Sequence, residues 1–147
     1  TTEPPIMLHY ILVFNRAGKN RLAKFYTPYD ADERRKLIYD VYRVVNTRDA
    51  KHTNFVAYRK QKIVYRRYAS LFFCMVVDVD DNELSWLEGI HLYVESLDHY
   101  FGNVCELDLV FLFYKCYEVL DEIITAGMLM ETSKAAILGR LVQDEII

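Results

Sequence analysis

The segment Leu71–Val77 constrains the fold of this chain more than any other stretch, because every residue in it is apolar (LFFCMVV). Its β-branched and aromatic residues favour an extended strand. Neighbouring side chains of a strand point to opposite faces of a sheet, so an unbroken apolar run needs apolar cover above and below it. The segment therefore predicts the central strand of a sheet that is covered on both faces.

Turn-forming residues divide the chain into further strands around this one. Gly18 lies in the turn Arg16–Lys19 and is free to adopt positive φ, which predicts an opening hairpin. Bends are predicted at Lys60-Gln61 and at Ser70. The strands predicted in this way are Ile6–Phe14, Asn20–Tyr26, Thr53–Arg59, Lys62–Ala69 and Leu71–Asp78.

Helices are predicted by capping residues and by apolar residues at helical spacing. Asp30 with Glu33 predicts the start of a first helix that runs to about Thr47. Asp80 with Glu83 predicts a second helix that ends at Phe101, where Gly102 fits the position after the last turn. The faces expected to be buried are Leu37, Ile38, Val41, Val44 and Val45 in the first helix, and Leu84, Leu87, Ile90, Val94, Leu97 and Phe101 in the second.

Two more helices follow. One spans about Glu106–Ala126 and ends at Gly127; it is expected to be buried on more than one side, because Leu109–Tyr114 is apolar nearly all round. The last begins near Thr132 or Ser133 and carries Ile137, Leu138, Leu141 and Val142. This order predicts an α+β fold with a five-stranded antiparallel sheet flanked by helices on both faces.

The composition fits one domain over 6–147, preceded by a flexible tail at Thr1–Pro5 that has no signal-peptide pattern. Residues 1–67 hold 15 Lys and Arg against 6 Asp and Glu, whereas residues 68–147 hold 3 against 15. Without a nucleic-acid-binding motif, this split predicts two differently charged faces rather than a nucleic-acid interface. The hydrophobic content of 52% indicates an additional contact surface.

The residues argue against an enzyme and against a cofactor. The four histidines show no metal-ligand spacing, and Asp78, Asp80 and Asn82 start a calcium-loop pattern that fails at Glu83. A chain with 5 glycines contains no glycine-rich phosphate loop. The odd count of 3 cysteines predicts reduced thiols, not a disulfide framework.

Four stretches resemble one family, the small (sigma) subunits of clathrin adaptor complexes. Phe14–Tyr26 (FNRAGKNRLAKFY) resembles the family's opening hairpin, and Tyr65–Cys74 (YRRYASLFFC) resembles its central strands. Asn103–Phe111 (NVCELDLVF) is similar to the family's most characteristic helix start. Arg48–Val56 (RDAKHTNFV) looks like the plasma-membrane adaptor, adaptor complex two. The resemblance covers residues 6 to about 145.

This resemblance implies a longin-like fold and a structural role in a heterotetramer. The expected partners are an alpha-adaptin-type large subunit as the main contact, a beta-adaptin and a medium (mu) subunit. Membrane and clathrin are reached indirectly through the complex, at the cytoplasmic face of the plasma membrane and in coated pits. The implied process is clathrin-mediated endocytosis and intracellular protein transport.

The same resemblance implies that the subunit helps bind acidic dileucine sorting signals of membrane cargo. Arg21 would meet the acidic residue of the signal, together with an arginine of the large subunit, and Tyr68 would flank the site. On the residues alone, Leu71, Leu107 and Leu109 read as core residues and Arg21 as a solvated charge. The pocket for the leucine pair is assigned by the resemblance to Ala69, Leu71, Val94, Asn103, Val104, Leu107 and Leu109.

Other interpretations remain open at this point. The chain has the features expected of a sigma-type subunit of a Golgi or endosomal adaptor, or of another longin-fold coat component. A regulatory domain of a trafficking SNARE would need a heptad segment and an anchor downstream, and neither is present in the sequence.

Overall fold

The computed structural model describes residues 7–48, 53–125 and 128–129, and its main feature is one five-stranded sheet. The strands follow the order β2-β1-β5-β4-β3, and all neighbours are antiparallel. This confirms the predicted sheet. The strands are β1 (Leu8–Asn15), β2 (Asn20–Phe25), β3 (Phe55–Tyr58), β4 (Gln61–Tyr68) and β5 (Leu71–Asp78).

Strand β5 is the central strand, as its sequence predicts. Alternate side chains enter two separate apolar clusters on the two faces of the sheet. Phe73 and Met75 belong to the first cluster, whereas Cys74 and Val76 belong to the second. All four are 0% exposed, so the strand is covered on both sides.

Helix α1 (Ala31–Asn46) covers one face of the sheet. The Asp30 carboxylate accepts a hydrogen bond from the Glu33 N–H at 2.8 Å, which confirms the predicted helix start. Leu37, Val41 and Val45 are buried against the sheet, with Ile38 and Val44 packed beside them. The predicted apolar face is therefore the packing face.

Helix α2 (Glu83–Phe101) covers the other face, but its start differs from the prediction. Asn82 caps it by accepting from the Leu84 N–H at 2.9 Å, so the prediction of Asp80 is wrong. A turn closed by the Asp81 N–H and the Asp78 carbonyl at 3.0 Å places Asp80 in the loop before the helix. The prediction that Leu84 is buried is also wrong, since it lies in the exposed first turn at 68%.

The end of α2 agrees with its sequence. Ile90, Val94 and Leu97 are buried, and Leu87 and Phe101 pack at the edge of the same cluster. The helix ends at Gly102, which has φ of 73° and donates to the Asp98 carbonyl at 2.7 Å.

The third predicted helix is two helices, α3 (Glu106–Phe111) and α4 (Phe113–Ile123). Leu112 interrupts them with φ of −122° and ψ of 38°. No proline or glycine marks this break, so residue types alone predict a continuous helix. The chain becomes extended at Ile124, where the β-branched run Ile123-Ile124-Thr125 favours a strand over another helical turn. The short strands β6 (Ile124–Thr125) and β7 (Met128–Leu129) pair antiparallel.

Two tight turns connect the last three strands. Tyr58 pairs with Gln61 across Arg59-Lys60, so the bend precedes the predicted position by one residue. Tyr68 pairs with Leu71 across Ala69-Ser70. The prediction that the third helix runs to about Ala126 and ends at Gly127 is wrong, because α4 ends at Ile123 and Ile124 is already extended. The predicted tail Thr1–Pro5 and the last predicted helix lie outside the described residues.

Candidate functional site

The predicted site residues gather at one end of the sheet, where β1 and β4 end and where β2 and β5 begin. Asn15 at the end of β1 lies opposite Leu71 at the start of β5. Leu71 also pairs with Tyr68 at the end of β4. Helix α3 joins this end through Glu106, which hydrogen-bonds to Asn15. The ends of two hairpins, β1–β2 and β4–β5, and the start of α3 therefore meet here.

The apolar part of the site is closed in this chain. Leu71, Val94 and Leu109 belong to one core cluster and are 1%, 3% and 1% exposed. Tyr68 and Val104 pack against the same cluster and are half-buried. These five residues therefore belong to the core of the α2 side of the sheet or to its edge, and three of them are shielded from solvent.

The remaining predicted pocket residues are exposed. Leu107 is 62% exposed on α3. Ala69 and Asn103 have φ of 54° and 115°, a region that residues other than glycine enter at a cost of about 1–3 kcal/mol each. Arg59 adopts the same region, with φ of 57°, in the equivalent turn Arg59-Lys60 outside the site, so the positive φ of Ala69 follows from its place in a two-residue hairpin turn.

Arg21 is held by an acidic residue of its own chain. Its Nε donates to the Glu106 Oε1 at 2.8 Å, and the Asn15 Nδ2 donates to the same oxygen at 2.7 Å. These two hydrogen bonds lower the pKa of the Glu106 carboxyl below its ordinary value, and the bond from Arg21 has the larger effect. Glu106 is not among the site residues predicted from the sequence, although an acid in the first turn of a helix interacts favourably with the helix dipole.

Tyr68 links the site to α2. Its hydroxyl lies 3.3 Å from the His91 Nδ1, and its ring packs edge-on against Phe73 with centroids 5.9 Å apart. His91 also forms an ion pair with Glu95 at 2.9 Å when it is protonated. Both ring nitrogens of His91 therefore lie beside a polar group of the same chain.

An exposed apolar face continues from the site along α3 and α4. We define the α3–α4 apolar face by four residues that are between 37% and 72% exposed: Val110, Phe111, Phe113 and Tyr114. The prediction that Leu109–Tyr114 is buried on more than one side is wrong for this chain. Only one side of these helices packs against the rest of the described chain, since Leu109 is buried whereas its apolar neighbours are exposed.

The calcium-like residues have structural roles. Asp78 pairs with the His9 Nε2, while the His9 Nδ1 lies 2.7 Å from the Thr27 hydroxyl. Asn82 caps α2. Within residues 7–48 and 53–125, no group of three or more His, Cys, Asp and Glu side chains is arranged to hold a metal ion. None of the helices that the structure describes is long and apolar enough to cross a membrane.

Comparisons with known proteins agree on one family. The model of the clathrin adaptor complex small chain matches residues 7–146. The chain is 60% identical to the AP-2 complex subunit sigma of Dictyostelium discoideum, over 92% of this chain and 95% of the relative. It is 51% identical to the AP-1 complex subunit sigma-2 of Arabidopsis thaliana, over 96% of this chain and 88% of the relative.

The fold is shared as well. A chain in a homology model of the full-length AP-3 complex in a stretched open conformation matches with a TM-score of 0.73 and 32% identity. That match covers 95% of this chain and 94% of the other. On the family match and these identities, the chain belongs to the clathrin adaptor complex small chain family.

Proposed function

We propose that this chain is the sigma subunit of a plasma-membrane clathrin adaptor heterotetramer, in which it acts in endocytosis at coated pits. The identity of 60% to an AP-2 sigma subunit, against 51% to an AP-1 sigma subunit, supports this type over a Golgi or endosomal adaptor. The stretch Arg48–Val56, which resembles the plasma-membrane type, supports the same choice.

The α3–α4 apolar face is proposed to pack against the alpha-adaptin-type large subunit. Phe111 is 72% exposed, Phe113 55% and Tyr114 60%, and aromatic side chains are enriched in protein interfaces. A large contiguous apolar patch is uncommon on a protein that works alone. The exposed side of α3 and α4 is therefore the observation that carries the structural role.

Co-expression with the other three subunits tests this contact. Phe111→Asp places a charge in the centre of the proposed interface, so we expect the large subunit to be lost from the purified complex. Tyr39→Asp is the matched control, because Tyr39 is 60% exposed on α1, across the sheet. Equal recovery of the large subunit with both variants would contradict the proposed contact.

The end of the sheet described above is proposed to bind acidic dileucine signals of membrane cargo. Burial of two leucine side chains contributes roughly 3–6 kcal/mol in total. An exposed acid–arginine pair at Arg21 adds about 0–1 kcal/mol. Association itself costs at least about 4 kcal/mol, so a single peptide binds weakly. Several simultaneous contacts on a membrane then supply the avidity.

Binding requires the apolar site to open. Leu71, Val94 and Leu109 are closed to solvent in this chain, so the leucine pair of the signal must displace side chains of the core edge. Asn103 is exposed at the rim, where its side chain can hydrogen-bond the backbone of an extended peptide. Arg21 becomes available to the signal when its bond to Glu106 is broken.

A substitution at Val94 tests the pocket. Val94→Asp puts a carboxylate among the apolar side chains, and we expect binding of an acidic dileucine peptide to be lost while the assembled complex is still recovered. Size-exclusion chromatography of the complex is performed first, because Val94 is 3% exposed. Unchanged peptide affinity in an intact complex would contradict the assignment of the leucine pocket to the residues around Val94.

A further inference from the structure

We propose that Arg66 is a further specificity-determining residue of the proposed peptide site, and that it favours signals with an acidic residue shortly after the leucine pair. This inference rests on the proposed binding of dileucine signals. Arg66 is exposed near the end of β4, two residues before Tyr68, which packs at the edge of the core on the α2 side of the sheet. Residues two apart in a strand share a face, so the Arg66 side chain lies on the α2 side as well.

The Arg66 guanidinium is bonded to a neutral group and not to an acid. Its Nη1 donates to the Tyr68 hydroxyl at 3.3 Å. The ion pairs formed within residues 7–48 and 53–125 do not include Arg66. Arg21 differs, because its Nε is bonded to the Glu106 carboxylate. A carboxylate of a bound peptide therefore meets Arg66 without displacing a carboxylate of the described residues.

A series of hydrogen bonds holds the Tyr68 hydroxyl in place. The hydroxyl oxygen lies 3.3 Å from the His91 Nδ1, and the His91 Nε2 lies 2.9 Å from the Glu95 Oε1. When neutral His91 carries its proton on Nε2, each group donates to the next: Arg66 to Tyr68, Tyr68 to His91, and His91 to Glu95. One N–H group of Arg66 is thereby oriented, and the others remain to bind a carboxylate.

The strand order places Arg21 and Arg66 on opposite sides of the leucine pocket. Across the sheet the order is β2-β1-β5-β4, so Arg21 on β2 and Arg66 on β4 flank the pocket residue Leu71 on β5. The acid of the signal precedes its leucine pair. A signal with its acid at Arg21 and its leucine pair in the pocket therefore continues over β4, where Arg66 meets a residue that follows the pair.

The expected preference for an acid at this position is modest. Arg66 is exposed, and an exposed acid–arginine pair raises affinity by about fivefold at most. At an ionic strength of about 0.15 M, salt screens exposed charges that are more than roughly 8 Å apart. A preference that persists at this ionic strength therefore indicates direct contact between the acid and one arginine, and not a general attraction to the basic half of the chain.

The test is a double-mutant cycle on the assembled complex at about 0.15 M salt. Two labelled dileucine peptides share the upstream acid and differ only after the leucine pair, where one has two Glu residues and the other has two Gln residues. We expect the wild type to bind the Glu peptide about two- to fivefold more tightly, and Arg66→Gln to bind both peptides equally. Arg43→Gln is the control, because it removes the same charge from an exposed position on α1, across the sheet, and should keep the wild-type preference.

Tyr68→Phe supplies a second measurement of the same contact. It removes the hydroxyl that orients Arg66 but keeps the ring that packs against Phe73, so we expect a smaller preference for the Glu peptide than in the wild type. Equal binding of both peptides by the wild type, or an equal loss of preference in Arg66→Gln and Arg43→Gln, would overturn the role of Arg66 alone. Failure of the wild type to bind the Gln peptide at all would contradict the proposed function, and this inference with it.

Discussion

Leu107 offers the cleanest perturbation of the proposed peptide site, because it is the pocket residue with the largest exposed apolar side chain. Full burial of a leucine side chain contributes about 1.5–3 kcal/mol. Leu107 is 62% exposed, so a peptide that covers it gains roughly 1–2 kcal/mol there. Leu107→Ala should therefore weaken an acidic dileucine peptide by about 5- to 30-fold.

The same substitution should leave the fold intact. An exposed side chain away from caps and ion pairs changes the free energy of unfolding by about 0.5 kcal/mol or less. The assay is titration of the assembled complex with a fluorescently labelled acidic dileucine peptide, with thermal unfolding measured in parallel. Tyr39→Ala is the matched control, since Tyr39 is 60% exposed on the other face of the sheet. A change of less than twofold for Leu107→Ala, or an equal change for Tyr39→Ala, would contradict a contact between Leu107 and the peptide.

Three further predictions concern the hairpin and its ion pair. Glu106→Gln should raise the affinity for an acidic dileucine peptide, because Arg21 loses its internal partner; a peptide with alanine in place of the acid is the control and should bind unchanged. The hydrogen bonds from Arg21 and Asn15 lower the pKa of Glu106 below the ordinary 4.5, so their stabilisation is complete above that pH and is lost as the pH falls through the lowered value. In acid titrations followed by circular dichroism, the wild type should then lose more stability than Glu106→Gln, and parallel curves would contradict this. Gly18→Ala should destabilise the hairpin by about 1–3 kcal/mol, since Gly18 has φ of +90° and a Cβ there would lie 2.8 Å from the Tyr42 ring; an unchanged thermal midpoint would show that the turn relaxes.

The sheet could be predicted from the sequence because its signals are local. An unbroken apolar run at Leu71–Val77 requires two covered faces, and Gly18 and Ser70 mark turns by residue type. The start of α1 at Asp30 and the end of α2 at Gly102 follow from capping chemistry. These features depend on a few neighbouring residues and need no knowledge of distant contacts.

The features that the sequence did not predict depend on tertiary contacts. The break at Leu112 carries no proline or glycine, so the periodicity of α3 and α4 looks continuous. The exposed side of Phe111 and Phe113 has the same composition as a buried face. Composition identifies an apolar surface, but it does not indicate whether the same chain or a partner covers that surface.

The residues of the candidate site could be predicted only in part, because their roles also depend on tertiary contacts. Residue types alone could not distinguish Leu71 and Leu109 from core residues, and in this chain they are core residues by burial. The resemblance of Tyr65–Cys74 and Asn103–Phe111 to one family was needed to assign them a role. The bond between Arg21 and Glu106 spans 85 positions in sequence, so only the folded chain reveals that the expected basic partner of the cargo acid is already engaged.

The cargo role of this end of the sheet is tested most directly by titration of the assembled adaptor with a labelled acidic dileucine peptide, comparing the wild type with Arg21→Ser. Arg21 is the one predicted site residue whose role depends on charge, so we expect lower affinity of the variant for the acidic peptide and no difference with a peptide whose acid is replaced by alanine. Equal affinity of both proteins for the acidic peptide would contradict the cargo role of this end of the sheet. It would not affect the proposed contact of the α3–α4 apolar face with the large subunit.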